Sequence, residues 1–128
     1  MLYFPVRMPT IFVISRDWTL RAMVRAELRY LGVDALGMES AEDLAEALAH
    51  GKAPSAVVLD AASEAAALSH PTTRAALANL AKRVPLLVVA SRVDPAPPLE
   101  GAAAVLYRPV RVGEIVARVQ QLLEGQAA

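Results

Sequence analysis

The sequence predicts an α/β domain built on a doubly wound, five-stranded parallel sheet. Three observations carry that prediction. Short apolar runs, Thr10-Ile11-Phe12-Val13-Ile14, Ala56-Val57-Val58-Leu59 and residues 85–90, show no polar alternation, the habit of strands covered on both faces. Segments with apolar residues at helical spacing lie between them, and such alternation calls for parallel pairing through right-handed crossovers. The chain has 128 residues, 55% hydrophobic and 20% charged, enough for one domain with a core and too apolar for disorder.

Taken in order, residues 1–9 carry aromatics but lack the apolar centre of a signal peptide, and are read as an N-terminal arm. The first strand, from Thr10 to Ile14, ends in Ser15-Arg16-Asp17. Leu20, Met23, Val24, Leu28 and Leu31 then mark the inner side of a helix that Gly32 stops. Arg21, Arg25 and Arg29 stand four apart on its opposite side, most simply as a solvated face. Residues 33–38 form a weak second strand. Ser40-Ala41-Glu42-Asp43 resembles a capping box opening a helix with Leu44, Ala47 and Leu48 inward, before Gly51.

The third strand runs into Asp60. An alanine-rich turn of helix over residues 61–69 is interrupted by His70-Pro71, and a further helix reaches Arg83 with Leu77, Leu80 and Ala81 inward. After the fourth strand, Asp94-Pro95-Ala96-Pro97-Pro98 cannot hold a regular helix, because proline removes a donor and clashes with the preceding turn. The helix expected between strands four and five is therefore shortened or missing. Residues 103–107 form the fifth strand. Val112, Ile115, Val116, Val119, Leu122 and Leu123 give the last helix a clear apolar stripe, with Gly125 closing it and residues 124–128 as a tail. No repeat or linker divides the chain, so residues 1–128 are read as one domain. The flavodoxin-like strand order 2-1-3-4-5 satisfies these connections.

Charge and composition narrow the function. Thirteen basic and thirteen acidic residues give a net charge of zero, which argues against a general nucleic-acid or membrane-surface binder. Without cysteine there is no disulfide, thiolate nucleophile or cysteine-ligated metal, and a cytoplasmic location is expected. His50 and His70 lack metal-ligand spacing and are read as helix-end residues. Trp18, just after the first strand's loop, is expected to cover the sheet edge, with a partner anchor as the alternative. In open α/β sheets the ligand site lies at the carboxyl ends of the strands. The predicted order brings Ser15, Arg16, Asp17, Asp60, Ala90, Ser91 and Arg108 to that rim.

These residues resemble the receiver domains of two-component response regulators. The resemblance spans Thr10 to Leu123 and is most specific at Gly101-Ala102-Ala103-Ala104-Val105-Leu106-Tyr107-Arg108-Pro109, which is similar to the family's glycine-alanine, strand, lysine-proline signature. Glu114-Ile115-Val116-Ala117-Arg118-Val119 is close to the usual opening of its last helix. The resemblance implies a CheY-like fold with Asp60 at the position of the phosphorylated aspartate. It also implies Mg bound by two acids after the first strand, but those positions are Ser15 and Arg16, leaving Asp17 and Asp60 as weak candidate ligands. The family's switch hydroxyl is Ala90, with Ser91 one place later, and its lysine is Arg108. The aromatic of strand five is Val105, with Tyr107 two places on. Ser63-Glu64 stands in place of methionine-proline.

The departures lead to a specific expectation. Arg16 and Arg108 are both expected beside Asp60, where a guanidinium gains roughly 1 to 4 kcal/mol before desolvation and occupies the place a metal needs. The function read from the sequence is an atypical pseudo-receiver: a signalling module acting by protein contact, not an enzyme and without Mg-dependent phosphotransfer. The alternative is a weak phosphoacceptor using Asp60. No cofactor is expected, apart from Mg if the pocket works. Expected partners are a histidine kinase, a scaffold, a transcription component, or a second copy through strand five and the last helix. A phosphohydrolase would need a second acid beside Asp60, and Asp60-Ala61-Ala62 has none. A flavin-type phosphate loop would need glycine in Ser15-Arg16-Asp17-Trp18-Thr19.

Overall fold

The computed structural model describes residues 9–93 and 99–127. The elements are β1 (Thr10–Ile14), α1 (Trp18–Tyr30), β2 (Asp34–Met38), α2 (Ala41–Ala49), β3 (Ala56–Asp60), a 3-10 turn (Ala61–Ser63), α3 (Ala65–Leu68), α4 (Pro71–Ala81), β4 (Leu86–Ser91), β5 (Ala104–Arg108) and α5 (Val112–Ala127). The sheet is parallel throughout in the order β2-β1-β3-β4-β5. The expected topology is therefore the observed one.

Strand periodicity explains how the two layers form. In β1, Ile11 and Val13 pack with Val24 and Leu28 of α1 and Ile115, Val116 and Val119 of α5, while Phe12 and Ile14 turn to Leu44 of α2 and Leu77 and Leu80 of α4. Central strands thus have apolar neighbours on both faces, and every residue of β3 is buried. Within α1 the inward set is smaller than its periodicity suggests, because Met23 and Leu31 are about half exposed. Gly32 ends that helix with φ +81°, a left-handed conformation that a side chain would disfavour.

Proline and capping chemistry place the remaining boundaries. Ser40 caps α2 through Asp43 N, and Pro71 opens α4 at the first turn, where its missing N–H is no loss. Among the described residues no helix lies between β4 and β5. The proline-rich stretch 94–98 and arm residues 1–8 are outside the described residues. The tail expected from residue 124 is instead helix, since α5 continues through Gly125 to Ala127. Gly125 has no heavy atom crowding its missing Cβ, and a glycine in a helix costs only about 1 kcal/mol, too little to stop a well-packed one.

Two arginines of α1 depart from the solvated face expected of them. Arg25 Nε donates to Ala35 O at 3.2 Å, and Arg21 Nη1 donates to Ser15 O at 2.6 Å. Their stems lie over Gly37 of β2, where an added Cβ would meet Arg25 Cδ at 2.8 Å. Asp34 N bonds Pro9 O and Met38 O receives Ser15 N, so these alternate residues turn toward β1 and Ala35 turns outward. Arg25 therefore covers a carbonyl on the open edge of the sheet, where unpaired backbone invites association.

Candidate functional site

The carboxyl ends of β1, β3 and β5 converge on Asp60. Its position follows from the strand: four buried apolar residues fix β3 between β1 and β4, and Asp60 is the last residue in register, opposite Val89. Only 1% of it is exposed. Arg108 Nη2 donates to Asp60 Oδ2 at 2.6 Å, and the Ser15 hydroxyl donates to the same oxygen at 2.7 Å. Asp60 Oδ1 and Arg108 Nε are buried without a hydrogen-bond partner. Arg108 is 37% exposed, so the pair joins a buried anion to a cation that water still reaches.

The β1–α1 loop is tied to this centre by short polar links. Ser15 Oγ accepts from Asp17 N, and the Ser63 hydroxyl donates to Asp60 O while accepting from Arg16 N. Asp17 does not face Asp60 as a second metal ligand. Its Oδ1 accepts from Thr19 N at 3.1 Å and Leu20 N at 3.3 Å as the N-cap of α1. An aspartate directly before a helical pattern is itself a capping signal, so this use was open to sequence reasoning.

Arg16 also lies elsewhere than expected. Its Nε pairs with Glu64 Oε2 at 3.0 Å, not with Asp60. Glu64 is 1% exposed, and its Oε1 accepts from Ala41 N at 2.6 Å, at the start of α2. The acid is the residue that sequence reasoning missed as a site component. The physical cause is local: the 3-10 turn over Ala61–Ser63 carries the chain off the end of β3 and leaves Glu64 at the head of α3, across from α2.

Neither Ala90 nor Ser91 binds Asp60. Ala90 packs with the α2–α4 layer, opposite Tyr107, whereas Ser91 is in register with Arg108 and its hydroxyl accepts from Val93 N at 3.2 Å. Val105 and Tyr107 share the side of β5 opposite Ala104 and Leu106, which pack with α5, and are each nearly half exposed, with Arg92 over the Tyr107 ring at 4.9 Å. Trp18 is 69% exposed and does not cover the sheet edge. His50 ends α2 and His70 precedes α4.

This donor set does not fit a divalent cation. Magnesium asks for several oxygens in near-octahedral array. Asp60 offers one unpartnered oxygen, Asp17 is turned into a helix cap, and a guanidinium sits against the carboxylate. Among the described residues no three acidic or imidazole side chains gather as a metal site.

Neither protein-family models nor curated protein sequences give a match to this chain. Solved structures do, and they show its fold to be that of response regulator receiver domains. A response regulator receiver protein from Burkholderia phymatum is 21% identical, with 91% of this chain and 95% of that one covered at a TM-score of 0.68. A CheY-like receiver domain protein from Methanospirillum hungatei is 15% identical over 94% and 98% of the two chains, at 0.71. A streptococcal structure described as a redox sensor evolved from two-component response regulators is 17% identical over 93% of this chain and 52% of that one, at 0.73. No helix among the described residues is long and apolar enough to cross a membrane.

Proposed function

We propose that this chain is a pseudo-receiver: a regulatory module that works through protein contact and does not catalyse Mg-dependent phosphotransfer. The observation that carries the reading is the Arg108–Asp60 pair at 2.6 Å, with Ser15 on the same oxygen. In-line phosphoryl transfer needs a positive clamp on the incoming group and a free nucleophilic oxygen. Here the cation is already spent on one carboxylate oxygen of Asp60, Oδ2. At the two positions where the receiver resemblance implies metal-binding acids stand a serine that donates to Asp60 and an arginine engaged with Glu64. The description of the streptococcal redox sensor supports the wider point that this fold serves regulators that have diverged from response regulators.

The partner is a kinase, scaffold or transcription component in the cytoplasm, or a second copy of the chain meeting β5 and α5. Exposed Val105 and Tyr107, on the side of β5 away from α5, give the strand apolar surface for a contact. A second reading, a weak phosphoacceptor, draws on the unpartnered Asp60 Oδ1. Incubation with magnesium and acetyl phosphate, followed by intact mass, separates the two. The pseudo-receiver reading expects an unmodified mass. A phosphoryl adduct that disappears in Asp60→Asn establishes the second reading.

A further inference from the structure

Glu64 is a second buried carboxylate at the rim, not in contact with Asp60, and it is the better satisfied of the two acids. Oε1 accepts from Ala41 N at 2.6 Å and Oε2 from Arg16 Nε at 3.0 Å. Ala41 is itself 5% exposed, so its amide, one of the orphan donors of the first helical turn, has little access to water. The capping serine does not supply that partner: Ser40 Oγ accepts from Asp43 N, the third amide of the helix. A carboxylate from another part of the chain does so, at the end of α2 where the helix dipole favours negative charge.

The main chain of Glu64 extends the same connection. Its N–H donates to Ala61 O at 3.1 Å, and its carbonyl receives Leu68 N at 2.9 Å. Arg16 N in turn donates to Ser63 Oγ. One residue therefore joins the β1–α1 loop, the turn after Asp60, the head of α3 and the first turn of α2.

We propose that Glu64 is a standing latch, a built-in counter-anion that locks α2 and the turn after Asp60 to the β1–α1 loop in one arrangement. It deepens the pseudo-receiver reading, on which it rests for the idea that the rim does not switch, by naming what holds the rim still. Arg16 is 54% exposed, so the cationic half of the latch lies at the surface while the anionic half is inside.

The test is amide hydrogen exchange on the full chain, comparing wild type with Glu64→Ala and Glu64→Gln. Glu64→Ala is expected to speed exchange of Ala41 and of residues 61–68 by about tenfold or more, as befits the loss of a buried charge-assisted bond, with β1, β3 and β4 changed less. Glu64→Gln keeps an oxygen for Ala41 but not the charge for Arg16, and should fall between. If Glu64→Ala does not fold, the Ala41 amide resonance carries the test: it moves upfield in Glu64→Gln and stays in place in Asp60→Asn. Unchanged exchange in residues 41 and 61–68, or an equal increase everywhere, overturns the latch. Failure of the underlying reading looks different, because a phosphoryl adduct on wild-type Asp60 would leave the exchange pattern of the Glu64 variants as predicted here.

Discussion

Asp60 and Glu64 are two acids four positions apart, both 1% exposed and both paired with one arginine, yet their surroundings differ. Asp60 has two donors on a single oxygen and leaves the other unpartnered. Glu64 has one donor on each oxygen, and one of these is a backbone amide at a helix start. The comparison separates position from chemistry. Asp60 sits at the carboxyl end of a central strand, where open α/β sheets keep their ligand sites, and its arginine is the main compensation for its burial. Glu64 sits off the strand end, and the backbone shares the work with its arginine. A buried charge that depends on one cation is more vulnerable than one also held by a helix.

That difference orders the expected effects of mutation, read as shifts in urea unfolding free energy. Arg108→Ala should be the most damaging, at about 2–4 kcal/mol, because it strands a buried carboxylate with one hydroxyl donor; solvent access to Arg108 keeps it below the top of the range for a broken buried pair. Asp60→Ala should cost less, about 1–2 kcal/mol, since Arg108 can turn to water. The reverse ranking would mean that Asp60 is not held as a charged partner. Glu64→Ala should cost about 1–3 kcal/mol by leaving the Ala41 amide unpaired inside the protein. The smallest effect is expected of Arg16→Ala, about 0.5–1.5 kcal/mol, because Arg16 is exposed and Glu64 keeps its backbone donor. An Arg16→Ala loss equal to that of Arg108→Ala would erase the distinction between the two sites.

The two acids also mark how far the sequence could be read. β1, β3 and β4 were legible because a strand buried on both faces must be a short continuous apolar run, and the places of Ser15 and Asp60 follow from where β1 and β3 end, as that of Arg108 follows from the end of β5. The pairing of Arg108 with Asp60 was legible for the same reason. Arg16 was not, since its choice between Asp60 and Glu64 depends on the path of the three-residue turn at Ala61–Ser63, for which periodicity has no signal. The departure at Ser63-Glu64 from the receiver pattern was visible and marks the spot without giving the orientation. Arg21 and Arg25 were misread as solvated because helix spacing cannot show that Gly37 leaves room for their stems over β2.

The central claim is that internal cations, not an exchangeable metal, neutralise the Asp60 rim. Titration of the labelled protein with manganese, a paramagnetic substitute for magnesium, tests it at the atoms concerned. The account predicts no saturable broadening centred on the amides of Ser15, Asp60 and Ala61. Saturable broadening at those amides, abolished in Asp60→Asn, would contradict it and place a metal site where the structure has an arginine.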